Sequence, residues 1–263
     1  METINIDSNN PDSVKFDYFK SRDNSNETIV LIDGSGGNRL KLRPLAEYIN
    51  SRFNNKNIVA ISFSGAETRV SYPPKTQYND LKSVLNYLIE NKENKTFDLI
   101  CTSMGSVSTV LVLNDKNFDK YLTNVIMLDP ADYLIDMGEK EGKTWTGYEK
   151  YDFEANTLCK LMNNINSNVK VHVINFRIRN YSDKGYAPES ERGIDNPKLY
   201  SRLNNDMVET FYERAPYKNH GMYIEDESLP HAFLRDGNIR ENIKVISDYL
   251  LEIFDWIKLK NKK

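Results

Sequence analysis

The sequence predicts an α/β fold: a mostly parallel central sheet flanked by helices. Three observations carry that expectation. Short, almost continuous apolar runs alternate with segments of helical spacing, the pattern of parallel strands covered on both faces. No internal repeat and no Pro-, Gly- or Ser-rich linker divides the chain. Its 263 residues suit one α/β domain, since such domains commonly run to about 200–250 residues as a single unit. Residues 1–263 are therefore expected to form one domain, with 133–168 as a candidate cap or insertion.

The elements follow in chain order. Residues 27–32 (ETIVLI) form a strand that runs into Asp33-Gly34-Ser35-Gly36-Gly37. Residues 40–53 place Leu40, Leu45, Ile49 and Phe53 at helical spacing. Residues 57–63 (NIVAISF) are a second strand and 76–90 an amphipathic helix. Residues 97–102 (FDLICT) are a strand leading directly into Ser103-Met104-Gly105 and a helix over 106–113. Strands are expected at 124–128 (NVIML) and 169–176, and a closing helix at 241–257. The polar, Tyr-rich stretch 177–227 contains a helical pattern over 197–212. In parallel sheets the working residues sit in loops at the carboxyl ends of strands. That rule selects the positions after Ile32, Thr102, Leu128 and Phe176.

The sharpest chemical signal is ICTSMGS, residues 100–106. A serine between an apolar strand and a helix fits a nucleophile elbow, whose tight, strained turn demands small residues two before and two after the nucleophile. Those residues are Cys101 and Gly105, so the pattern departs from G-x-S-x-G at its first position. The following helix would present its positive N-terminal end to developing negative charge. The backbone N–H of Met104 would be one oxyanion donor. The glycines after residues 27–32 let backbone N–H groups approach a ligand closely. They lack the lysine of a P-loop, and their spacing fails the dinucleotide fingerprint.

The order of DGSGG, elbow serine, strand-end aspartates and late histidine resembles the α/β-hydrolase superfamily, over roughly residues 27–257. The resemblance implies an eight-stranded sheet, a Ser–acid–His triad in that chain order, and ester, thioester or amide chemistry. It makes the DGSGG segment an oxyanion loop with the N–H of Ser35 as donor and Gly36 as the alternative. Asp33 stands where that family often has histidine. Among three histidines, His231 (SLPHAFLRDG) is the expected base because it precedes the closing helix. His220 becomes the base if 209–213 is the last strand. His172 reads as a structural strand residue. Asp183 follows the strand 169–176, the usual place for the acid. Asp129 is the alternative, with Asp132 and Asp195 behind it.

Composition narrows the classes further. Acidic and basic residues number 38 and 35, a net charge of −3, whereas nucleic-acid binders usually show a clear basic excess. No apolar run approaches the ~18 residues of a membrane span, and METINIDSNN lacks the basic and apolar regions of a secretory signal. Cys101 and Cys159 make neither a disulfide framework nor a zinc site. The expectation is a cytoplasmic protein with reduced thiols, no metal and no organic cofactor. Its partner is a small-molecule acyl substrate rather than nucleic acid or a membrane, and its oligomeric state is open. The expected activity is serine hydrolysis of an acyl ester or thioester. Acyl transfer by the same triad is the alternative, as is a non-catalytic ligand-binding relative.

Overall fold

In the computed structural model, which describes residues 1–7, 13–34, 38–68, 74–103, 105–130, 165, 168–176, 219–226, 228–229, 233–234 and 237–260, eight strands share one sheet. They are β1 (Glu2–Ile6), β2 (Val14–Phe19), β3 (Glu27–Ile32), β4 (Asn57–Ser62), β5 (Thr96–Ser103), β6 (Leu122–Pro130), β7 (Lys170–Phe176) and β8 (His220–Asp226). Their spatial order is β1-β2-β4-β3-β5-β6-β7-β8. β2 pairs antiparallel with β1 and with β4, and every pairing from β4 across to β8 is parallel. The helices, numbered over the described residues, are α1 (Arg39–Arg52), α2 (Pro74–Asn91), α3 (Gly105–Leu113) and α4 (Ile239–Lys260). The predicted α/β fold and mostly parallel sheet are observed.

Side-chain alternation along each strand sorts the apolar residues into two layers. Ile29 and Leu31 of β3 face the side covered by Leu42, Leu45 and Ile49 of α1 and by Ile246, Leu250 and Ile253 of α4. Val30 and Ile32 face the opposite side, packed with Leu81, Val84 and Leu88 of α2 and with Val107 and Val110 of α3. The strands are apolar on both faces because both faces are covered. Helix α3 (GSVSTVLVL) is buried along almost its whole length, as an all-round apolar helix must be. The hydroxyls of Ser108 and Thr109 are satisfied within it, each donating to the Gly105 carbonyl, at 2.9 and 2.8 Å.

Strands β3 to β7 and all four helices lie within two or three residues of their expected limits. β1, β2 and β8 were not anticipated. The middle of β2 holds a charged residue, Asp17, which is fully buried. β8 is an edge strand whose residues are mostly half-exposed, so its apolar pattern is weak. The candidate cap at 133–168 lies outside the described residues except for Ile165 and Asn168, and the helical pattern at 197–212 lies wholly outside them. No helix among the described residues is long and apolar enough to cross a membrane.

The amino edge of the sheet is held by polar contacts. Buried Asp98, near the start of β5, pairs with Lys56 at 2.8 Å. It also accepts from the Thr123 hydroxyl and the Asn124 side-chain amide, each at 2.7 Å. These contacts satisfy both carboxylate oxygens, which a buried charge requires.

His172 sits inside β7 with no exposed surface. Its Nδ1 accepts the Met222 N–H at 3.0 Å, and its ring stands edge-on to Trp256 of α4 with centroids 5.4 Å apart. It is therefore a structural residue, held as the neutral ring. Burial pushes its pKa down to about 4, with nearby Asp98 acting upwards and Lys170 downwards. The folded state thus takes up this proton less readily than the unfolded chain, whose histidine titrates near 6.5. The stability this contributes is complete above about pH 6.5 and is lost as the pH falls through about 4. Urea unfolding at pH 7, 5 and 4 is expected to show a loss on the order of 3 kcal/mol that a His172→Asn variant lacks. Parallel pH profiles for the two proteins would contradict this.

Candidate active site

Because β3 to β8 run parallel, their carboxyl ends gather at one edge. Ser103 ends β5 there. Its φ is 47°, in the left-handed region that non-glycine residues avoid at a cost of about 1–3 kcal/mol. It is 8% exposed. β5 is buried from Phe97 through Ser103, and α3 begins only two residues later, at Gly105. Met104, between them, lies outside the described residues. Ser103 therefore occupies a strained strand-to-helix turn.

The residues two positions either side of it explain how the turn closes. A Cβ on Gly105 would lie 2.7 Å from the Asp33 carbonyl oxygen and 3.1 Å from Cγ2 of Ile32. Only glycine lets α3 start this close to the end of β3. Cys101 is fully buried among apolar side chains, with its Sγ 3.7 Å from the Ser106 hydroxyl. Burial pushes its thiol up to about 11, so it packs as a small apolar group and is not a nucleophile at neutral pH.

The glycine-rich segment is tied down at both ends. On the β3 side, Oδ1 of Asp33 accepts the Thr102 hydroxyl at 3.0 Å and the Gly34 N–H at 2.8 Å. On the α1 side, Asn38 caps the helix by accepting the Leu40 N–H at 2.8 Å. Arg39 follows, donating its backbone N–H to the Ser62 hydroxyl at 2.8 Å. Its guanidinium reaches Asp17 and Glu67, each at 2.7 Å. Arg43 also pairs with Asp17, at 2.8 Å. Burial pushes the Glu67 carboxyl upwards, but the Ser62 hydroxyl, Arg39 and Lys15 together hold it below the usual range. Ser35, the expected oxyanion donor, and Gly36 lie in the undescribed stretch 35–37 between these anchors.

The histidines are now distinguishable by strand direction. His220 is the first residue of β8, opposite Val171 near the start of β7. It lies at the amino edge, a strand length of about 20 Å from the carboxyl edge at ~3.3 Å per residue. His231 lies outside the described residues, as do Pro230 and Ala232 on either side of it. Asp226 ends β8 at the carboxyl edge. It accepts the Ser228 N–H and hydroxyl at 2.7 and 2.6 Å and the Tyr249 hydroxyl at 2.8 Å. Burial and the Asp226 contact push Tyr249 up to about 12. Leu229 and Phe233 are buried, and Phe233 stands edge-on to Phe176. The Asn242 side chain donates to the Phe233 carbonyl at 2.9 Å. Nothing local in the sequence marks Asp226, Tyr249 or Asn242 for this anchoring.

Asp129 is buried near the end of β6, with φ 45°. It is the extra residue of a bulge, since Thr102 pairs with Leu128 but Ser103 with Pro130. Its Oδ1 lies 3.4 Å from the Phe176 N–H that donates to it. Asp183, the expected acid, lies outside the described residues, as do Asp132 and Asp195. Among the described residues no group of three His, Cys, Asp or Glu side chains could hold a metal ion.

No family model matches the sequence, and no curated protein matches it. Solved structures do match its fold. The esterase Pf2001 of Pyrococcus furiosus superposes with a TM-score of 0.63 at 18% identity, covering 96% of this chain and 92% of that one. Est1E of Butyrivibrio proteoclasticus gives 0.61 at 11%, covering 96% and 99%. A dienelactone hydrolase of Anabaena variabilis gives 0.60 at 10%, covering 96% and 97%.

The close approach at Gly105 carries a direct test. Gly105→Ala is expected to lower stability by about 1–3 kcal/mol in urea unfolding, the usual cost of forcing extra volume into a packed site. The contact is with backbone, which has little room to yield. An unchanged midpoint would show that α3 does not lie this close to β3.

Proposed function

We propose that this chain, which has the α/β-hydrolase fold, is a serine hydrolase of acyl esters or thioesters. The observation that carries the reading is Ser103 itself. A serine held at φ 47° at the carboxyl end of a buried strand, directly before a buried helix, is costly to maintain. Such strain persists where the surrounding structure over-determines it, and it concentrates at functional sites.

In this reading the Ser103 hydroxyl attacks the acyl carbon while His231 takes its proton, and Asp183 orients and stabilises the imidazolium. The N–H groups of Ser35 and Met104 hold the oxyanion, a donor of this kind being worth about 3 kcal/mol. The tetrahedral intermediate collapses, and His231 returns the proton to the leaving alcohol or thiol. Water, deprotonated by the same histidine, then attacks the acyl-enzyme and releases the acid and free Ser103. Two features support His231 as base. It follows the carboxyl end of β8 by five residues, and His220 lies at the opposite edge. Asp183 comes seven residues after the carboxyl end of β7 in the sequence, and Asp129 on β6 remains the alternative acid.

A fluorophosphonate is expected to add one label per chain, at Ser103, by intact mass. Ser103→Ala should abolish labelling and p-nitrophenyl acetate turnover without shifting the melting temperature. His231→Ala should slow both by at least about a thousandfold, while His220→Ala stays near wild type. Asp183→Asn should cost far more than Asp129→Asn; the reverse order would move the acid to β6. A folded wild-type protein that takes no label and turns over no activated ester would remove the hydrolase reading in favour of a ligand-binding role.

A further inference from the structure

We infer that the hydrogen bond between Thr102 and Asp33 sets the position of the oxyanion loop relative to the nucleophile, so that both are positioning residues for the reaction at Ser103. The inference rests on the hydrolase reading above.

Three observations meet at Asp33. Its backbone carbonyl is the atom against which Gly105, the first residue of α3, closes. Its side chain accepts the Thr102 hydroxyl at 3.0 Å. The same oxygen accepts the Gly34 N–H at 2.8 Å, turning the chain into the glycine-rich segment immediately after β3. Thr102 immediately precedes Ser103, and Asp33 precedes the proposed donor Ser35 by two residues. One side-chain contact therefore bridges the two segments that must present the nucleophile and the oxyanion donor to the same substrate carbonyl.

The backbone does not make this link by itself. The β3–β5 ladder stops at the pairing of Ile32 with Cys101, one residue short of both Asp33 and Thr102. Beyond that row, this hydrogen bond and the packing of Gly105 connect the two segments. Thr102 is buried, so its hydroxyl needs a partner inside the protein. An oxyanion donor acts mainly on the transition state, and its value depends on being held in place beforehand. Loosening the loop should therefore lower kcat and leave KM nearly unchanged.

The test compares Thr102→Val, which keeps the shape but removes the donor, with Thr102→Ser, which keeps the hydroxyl. Fluorophosphonate labelling to completion counts competent Ser103 sites, and p-nitrophenyl acetate turnover per site then gives kcat and KM. Thr102→Val should lose about tenfold in kcat, less than the loss for deleting a donor outright, with KM within about twofold. Thr102→Ser should stay within about twofold of wild type. Asp33→Ala provides an independent route to the same loss. The double variant Thr102→Val/Asp33→Ala should be no slower than the slower single, because both changes remove one shared interaction.

A purely structural role would lower the melting temperature or the number of labelled sites without changing kcat per site. The inference falls if Thr102→Val turns over at the wild-type rate per site, if Thr102→Ser is as slow as Thr102→Val, or if the two losses multiply in the double variant. Labelled wild type with unaffected variants removes this inference alone. A wild type that takes no label removes the hydrolase reading, and this inference with it.

Discussion

The close approach of α3 to the end of β3 is the constraint on which the carboxyl edge depends. Gly105 has no side chain, and a Cβ there would stand 2.7 Å from the Asp33 carbonyl oxygen. With that space free, the chain passes from β5 to α3 across only Met104. So short a passage leaves Ser103 little choice but the left-handed backbone it adopts. The strain is offset by what lies on either side, a strand buried from Phe97 to Ser103 and a helix buried along almost its full length. A locally unfavourable residue is thus held by two of the best-packed elements in the molecule.

The two edges of the sheet solve different problems. At the amino edge, Lys56, Asp98, Thr123 and Asn124 satisfy one another, and His172 is kept neutral between β7, β8 and α4. The charged and polar groups of the Asp98 cluster are thus matched to each other. At the carboxyl edge two residues within strands, Ser103 and Asp129, hold positive φ, on neighbouring strands joined through a register shift. Polar locks also operate near this edge, but they lie behind the site. Asp17 with Arg39 and Arg43 secures the start of α1, and Asp226 with Tyr249 secures the end of β8. Such buried charges add little net stability over apolar packing, but removing one partner is costly. That suits groups whose role is to hold a backbone segment in one position.

The parts of the fold legible in the sequence were those whose residues are apolar for local reasons. β3 to β7 read as strands because both of their faces are covered, and α1 to α4 read as helices from spacing or apolar content. The elbow was legible because a tight turn restricts the residues on either side of Ser103. β1 and β2 were not, since β2 carries Asp17 at its centre. Arg39 and Arg43, more than twenty residues away and on a helix, make that carboxylate tolerable inside the sheet, together with the Thr3 hydroxyl of β1, which donates to it at 2.8 Å. β8 escaped notice because an edge strand need not be apolar on both faces.

By itself the sequence determined a mostly parallel α/β sheet, a serine at a strand-to-helix turn, and a glycine-rich segment after β3. These follow from patterns within a few residues, set by strand burial and by the sterics of a tight turn. Only the tertiary structure put His220 at the amino edge of the sheet, because the sequence shows where a strand can lie but not which edge its first residue occupies. The link from Thr102 to Asp33 was likewise beyond the sequence. A hydrogen bond between residues 69 positions apart exists only once parallel pairing has brought the ends of β3 and β5 side by side.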